Sequence, residues 1–267
     1  MSGFDVGRFL VYPGRRIAGL VTRHGAETDV YAQAISILGK HNVPMLYICS
    51  SLLKGKKNRT IIFLDFTDSG ASVEDLASEL EATGLTEVEG IIKPPVEGFI
   101  ADIFSERLMA GGSRVIILRD LGYRGFLEGI RERFGSGGAA FLYYIGFETG
   151  TGFAKLHKEA GEKVGNKDPE SILHHISAPM FQWAGFGRLE IHDASPARAV
   201  LSVHGSFECE LVKGQTRQTP KPYSQFVREI LAGILSELFG RKFEVTEREC
   251  LARGDPYCRF EAVATKE

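Results

Sequence analysis

Lys93-Pro94-Pro95 divides this chain into two pieces. Two consecutive prolines remove two backbone donors and hold φ at about −65°, so neither a helix nor a central strand runs through them. The 267 residues suffice for two domains, each of roughly 100 to 200 residues. The reading is a short lead over residues 1–13, a first domain over 14–93 and a second over 96–265, α+β overall.

Before the prolines, the hydrophobic pattern alternates between strand and helix periods. Residues 16–22 read as a strand, and His24-Gly25-Ala26 as a turn. A helix starts at about Asp29, where Val30, Ala34, Ile37 and Leu38 recur at helical spacing and Gly39 to Asn42 end the run. Residues 43–51 and 59–67 read as two strands joined by the basic loop 54–58. A second helix opens at Ser72, a capping residue with Glu74 and Asp75 complementing the helix dipole, and buries Val73, Leu76, Ala77 and Leu80. Residues 85–92 return as a fourth strand. The order β-α-β-β-α-β is that of a ferredoxin-like, split βαβ sandwich.

Beyond the prolines the pattern changes. A short strand over 114–119 leads into a helix over 123–134, and glycines 135–138 separate it from a longer helix over 139–163. Gly146, Gly150 and Gly152 lower that helix's propensity but let another backbone come close. A further helix starts at Asp168-Pro169, with Asp as cap and Pro in the first turn. Antiparallel strands over 188–193 and 198–210 follow, then a polar loop over 213–221 and a helix over 223–239 stopped by Gly240.

The last element is a hairpin with Cys250 on one strand and Cys258 on the other, turning at Gly254-Asp255-Pro256. Two readings stand. The thiols are either half of a metal or disulfide staple, or two small buried hydrophobes that face each other. Zinc also takes carboxylate, so Glu247 is a third candidate ligand. Strand alternation puts Glu247 and Cys250 on opposite faces unless a bulge intervenes. A fourth ligand has to come from elsewhere, and Cys209 is the thiol available in this half.

Composition excludes several classes. With 43% hydrophobic and 25% charged residues and a net charge of -2, the chain reads as a soluble globular protein rather than a nucleic-acid binder. The basic run 54–59 lacks interleaved aromatics and reads as a solvated turn. No apolar run approaches the roughly 20 residues needed to span a bilayer, and the start of the chain has no signal-peptide pattern. Four cysteines are too few for a disulfide scaffold, so a cytoplasmic location is expected. The common phosphate-binding, dinucleotide and serine-nucleophile motifs are absent. His174-His175, Met180, Trp183 and Phe147 are candidates for lining a pocket, each of them equally readable as core.

Residues 231–261 closely resemble the C-terminal signature of the 4-vinyl reductase domain family, and Leu142 to Gly150 and Trp183 to Gly187 look like its earlier motifs. The resemblance spans roughly residues 96–265. It implies an antiparallel sheet packed on helices, similar to small subunits of vesicle-tethering complexes. Family members include sensory domains of phenol- and xylene-responsive transcription activators and a protein tied to bacteriochlorophyll synthesis. The resemblance therefore implies a pocket for a small apolar or aromatic molecule, lined here by Phe147, His174, Met180 and Trp183. It also implies a zinc site, because Glu247, Cys250 and Cys258 match the ligands of the phenol-sensing members residue by residue. The position of their remaining cysteine is Ser224 here, so Cys209 or a water substitutes, or no metal binds. Residues 14–93 are similar in element order, and in the Gly25 turn, to ACT domains, which implies side-by-side pairing into a homodimer and small-effector binding.

The reading favoured is a non-enzymatic sensor: an ACT-like regulatory module fused to a ligand-binding domain, acting on an unidentified regulatory partner. The alternatives are a vinyl reductase of tetrapyrrole metabolism and a scaffold of the tethering-subunit type.

Overall fold

A computed structural model describes residues 5–51, 57–212 and 221–265, and its contacts separate into two units, Met1–Ile116 and Ile117–Glu267. The first contains β1 (Phe9–Val11), β2 (Ile17–His24), α1 (Thr28–Lys40), β3 (Met45–Ser51), β4 (Asn58–Asp65), α2 (Val73–Ala82), β5 (Thr86–Ile92), β6 (Phe99–Ala101), β7 (Leu108–Ala110) and β8 (Ser113–Val115). Its main sheet has the order β3-β4-β2-β5, antiparallel throughout. This is the split βαβ arrangement expected, with β4 inserted between β2 and β3. Ser72 closes a capping box with Asp75 at the start of α2, accepting from its N–H while Asp75 accepts from the Ser72 N–H.

Both faces of that sheet are covered. On one face Leu20, Ile62 and Leu64 pack with Leu38, Leu76 and Leu80 of the helices. On the other, Val21, Ile61 and Phe63 pack with the fully buried Ile100 of β6 and with Leu10 of β1. The lead is therefore ordered at Phe9–Val11, where β1 pairs with β6. For the same reason the compact unit continues past Lys93-Pro94-Pro95, the boundary the sequence suggested, to Ile116. The prolines end β5, but the chain turns back to cover the open face of its sheet. Residues 116–119 are not strand: β8 stops at Val115 and pairs with β7. Residues 54–56 of the basic loop lie outside the described residues.

The second unit contains α3 (Asp120–Phe134), α4 (Ser136–Lys163), α5 (Pro169–Ile172), a π-helical turn (Leu173–Ser177), α6 (Ala178–Trp183), β9 (Arg188–Ala194), β10 (Arg198–His204), α7 (Phe207–Glu210), α8 (Gln225–Phe239), β11 (Phe243–Glu249) and β12 (Cys258–Ala264). The antiparallel sheet has the order β11-β12-β10-β9. The run expected as strand to residue 210 ends at His204, because Gly205 turns the chain into the one-turn helix α7. Residues 213–220 of the polar loop lie outside the described residues. Helix α8 is buried on nearly all sides, and its backbone touches that of α4. A Cβ on Gly150 would lie 2.0 Å from the Ile230 carbonyl oxygen, and one on Gly233 would lie 2.2 Å from that of Phe147. Gly146 and Gly150 thus serve the close approach expected of them, whereas Gly152 faces open space.

Candidate metal centre

The hairpin brings its acid and two of its thiols to one side by a local irregularity. Glu247 faces inward by the same alternation that buries Phe243 and Val245, and the pairing of β11 with β12 slips just after it, between Glu247 and Glu249, a bulge that brings Cys250 to the same side. The turn is braced by Asp255, whose Oδ2 accepts from the Cys250 N–H at 2.7 Å and from Arg253 Nη2 at 2.8 Å. Helix α7 supplies Cys209, and Ser224 enters from the residue preceding α8. Cys209, Glu247, Cys250 and Cys258 are all buried, and one ligating atom from each lies within 4.8 Å of the others.

The distances suit a tetrahedral ion. Cys209 Sγ is 3.7 Å from Cys250 Sγ and 3.5 Å from Cys258 Sγ. With zinc–sulfur bonds of about 2.3 Å, the edge of a tetrahedron is about 3.8 Å. Backbone N–H groups also point at the sulfurs, Tyr223 N to Cys250 at 3.3 Å and Leu251 N to Cys258 at 3.4 Å, the outer contacts that orient thiolate ligands. Ser224 stands beside the cluster. Its hydroxyl donates to Glu247 Oε1 at 2.8 Å, and its N–H donates to Glu247 Oε2 at 3.0 Å. It orients the carboxylate, while Cys209 adds a third sulfur to the two of the hairpin.

The electrostatics point the same way. Burial, then the neighbouring Cys250 charge, pushes Glu247 up to about 8. Hydrogen bonding to Cys250 is the main cause that pushes Cys209 up to about 12, and bonds to Cys209 and Cys250 raise Cys258 as well. Bonds from those two thiols in turn lower Cys250. Packing four acids into one dry pocket thus favours the protonated forms of Glu247, Cys209 and Cys258. A divalent ion reverses that balance and deprotonates the thiols that bind it.

The expected pocket residues do not converge. Phe147 is half-buried on α4 and lines an open groove of about 1060 Å³ with Ala197, Ser236, Arg241 and Lys242. His174 is half-buried in the π-helical turn, and Met180 and Trp183 are exposed on α6, Trp183 by 62%. The structure instead gathers an aromatic cluster that the sequence reading missed. Phe186 lies between Phe153 (ring centroids 5.7 Å apart), Phe181 (5.2 Å) and Phe207 (5.2 Å). Phe207 also meets Tyr123 at 5.3 Å and Phe226 at 6.2 Å. The neighbouring Ser206 is fully buried, and its hydroxyl has no partner among the described residues. Among the histidines of this unit, the buried one is His157 of α4 rather than the adjacent pair His174-His175. Its Nδ1 lies 2.9 Å from Ser177 Oγ, and burial lowers it to about 4. A flanking Gly185-Phe186-Gly187 was the available signal for the cluster, because it sets one ring on a chain free to turn.

The 4-vinyl reductase domain model matches residues 199–264, from β10 through the cysteine hairpin. The C-terminal part of the chain carries a 4-vinyl reductase domain. The phenol-responsive sensory domain of the transcription activator PoxR, solved with phenol, shares the fold, with a TM-score of 0.53 at 19% identity over 58% of this chain and 79% of that one. Two proteins of Methanocaldococcus jannaschii are similar in sequence. MJ1460 is 29% identical over 119 residues, 44% of this chain and 68% of its own length. MJ0855 is 28% identical over 122 residues, 45% of this chain and 48% of its own length, so the match spans about half of that relative. Among the described residues no helix is long and apolar enough to cross a membrane.

Proposed function

We propose that the 4-vinyl reductase domain is a sensor for a small apolar or aromatic molecule, and that Cys209, Glu247, Cys250 and Cys258 hold a zinc ion that fixes its architecture. The observation that carries the sensor reading is the aromatic cluster around Phe186 and Phe207, with the unpartnered Ser206 hydroxyl next to it. Aromatic walls accept a ring, and a lone buried hydroxyl favours a ligand with one polar group. The fold shared with the PoxR domain, solved with phenol, supports the same class of ligand. Zinc, when bound, supplies a fixed dication that joins α7 to the hairpin; Ser224 orients Glu247 toward it. The test is isothermal titration of the full, metal-replete chain with phenol and with xylene, beside the Phe186→Ala variant. Saturable binding that the variant loses supports the reading, and no heat with either compound removes it.

The N-terminal βαββαβ unit is, in this proposal, the ACT-like module that makes the protein a homodimer and couples it to a regulatory partner. Strand β3 ends the sheet order and carries no charge, with Met45 and Ile48 exposed by 41% and 45%. An uncharged edge pairs with its own copy free of like-charge repulsion. Light scattering of wild type against Ile48→Lys tests this: a dimer that the lysine converts to monomer supports it, and a wild-type monomer overturns it.

A further inference from the structure

Cys209 reaches the metal centre on a helix of a single turn, too short to hold its own orientation. What holds it is the residue before it. Glu208 is fully buried, and its carboxylate accepts the N–H of Phe226 at 3.2 Å and of Val227 at 2.8 Å, donors in the first turn of α8. Arg131 Nη2 of α3 donates to the same carboxylate. That guanidinium also donates to the Tyr223 carbonyl at 3.1 Å and to Gln225 Oε1 at 2.8 Å, and it lies 4.1 Å above the Tyr223 ring. Taking a carboxylate out of water costs several kcal/mol unless donors replace the solvent. Here they do, and all of them belong to α3 or to the first turn of α8. The consequence is a bolt between α7 and the start of α8, placed one residue from a metal-ligating sulfur.

We propose that Glu208, gripped by Arg131, is a positioning residue for the metal centre: it places Cys209 Sγ at ligating distance from Cys250 and Cys258, at the vertex that Ser224 cannot fill. The proposal rests on the metal reading above. Glutamine in place of Glu208 has the same shape but brings an NH2 group where the carboxylate accepts from three donors, so one donor faces another and α7 is released. Tyr223 continues the connection, because its carbonyl is held by Arg131 while its N–H points at Cys250.

The experiment is a cobalt(II) titration of the full chain, read by the thiolate-to-cobalt charge-transfer and d–d bands, for wild type, Glu208→Gln, Cys209→Ser and the double variant. The expected result is that Glu208→Gln lowers cobalt affinity by about 10- to 100-fold and weakens the charge-transfer band as Cys209→Ser does. In the Cys209→Ser background it then has no further effect. Arg131→Lys, which keeps the charge but loses the planar group that reaches Glu208 through Nη2 and stacks on Tyr223, is titrated alongside in case Glu208→Gln does not fold, and it is expected to show the same dependence on Cys209. Equal affinity in Glu208→Gln and wild type overturns the positioning role. So does an undiminished loss in the Cys209→Ser background. A wild-type chain that binds no cobalt fails at an earlier step, and it is the metal reading that falls.

Discussion

The two units bury their polar groups on different terms. In the first, His24 is paired at both nitrogens, with the Gly25 carbonyl at 2.6 Å and with Thr60 Oγ1 at 2.7 Å, and Thr60 shares a further hydrogen bond with Ser50. The buried Asp65 accepts from the N–H and hydroxyl of Thr67 and pairs with Arg15. These groups are satisfied by atoms the chain itself owns. In the second unit Glu208 and Glu229 each face an arginine, but Glu247 has no cation among the described residues and stands against three sulfurs. The first unit is a closed account of donors and acceptors. The second gathers four buried acids at one point, a cluster able to hold a metal ion.

The largest effect follows directly from that contrast. Chelation of metal, or Cys258→Ser, is expected to cost the C-terminal unit several kcal/mol while leaving the N-terminal transition in place, and scanning calorimetry of the full chain is the measurement that checks it. A single transition that shifts as a whole breaks the contrast. Next in size is Gly150→Ala, which sets a methyl against the Ile230 carbonyl oxygen. It is expected to destabilise the same unit by roughly 3 kcal/mol or more, with or without chelator, in urea unfolding. Gly152→Ala, in open space two residues away, is its control.

Acid comes third. Folding lowers His157 from 6.5 to about 4, so the native state prefers the neutral ring and the unfolded chain binds the proton more readily. The stabilisation is complete above pH 6.5 and drains away as pH falls toward 4, at most about 3 kcal/mol. Urea midpoints of chelated wild type and His157→Gln at both ends of that window measure it, and equal acid losses in the two proteins refute it. The smallest effect belongs to the first unit: Ser72→Ala removes the capping box of α2, and about 1 kcal/mol is expected, with no change in metal affinity.

How far the sequence discloses this structure depends on the range over which each signal acts. Ser72 and Asp168 cap the helices they precede, because a cap is made by residues three apart. The βαββαβ order is equally legible, since each element carries its own period. Strands β1 and β6 have three residues each, too few to show a period, and they pair across most of the first unit's sequence. That hid both the ordered lead and the true extent of the first unit. At the metal centre, Glu247, Cys250 and Cys258 could be read from one hairpin. Their convergence depends on a bulge that no residue type announces. Cys209 lies 41 positions from Cys250, and the strand expected to carry it is interrupted at Gly205. Residue type alone marks the pocket candidates, and helix α6 turns Met180 and Trp183 outward.

The glycine seam between α4 and α8 also limits how the second unit can move. Helices kept apart by side chains can give way when those side chains change rotamer, as a hinge gives when its pin is loose. Gly150 and Gly233 put backbone on backbone, and a peptide group has no rotamer to change. The pair therefore behaves as one stiff beam. Rearrangement within this unit is left to the elements that lean on the beam through side chains, the π-helical turn at Leu173–Ser177 among them.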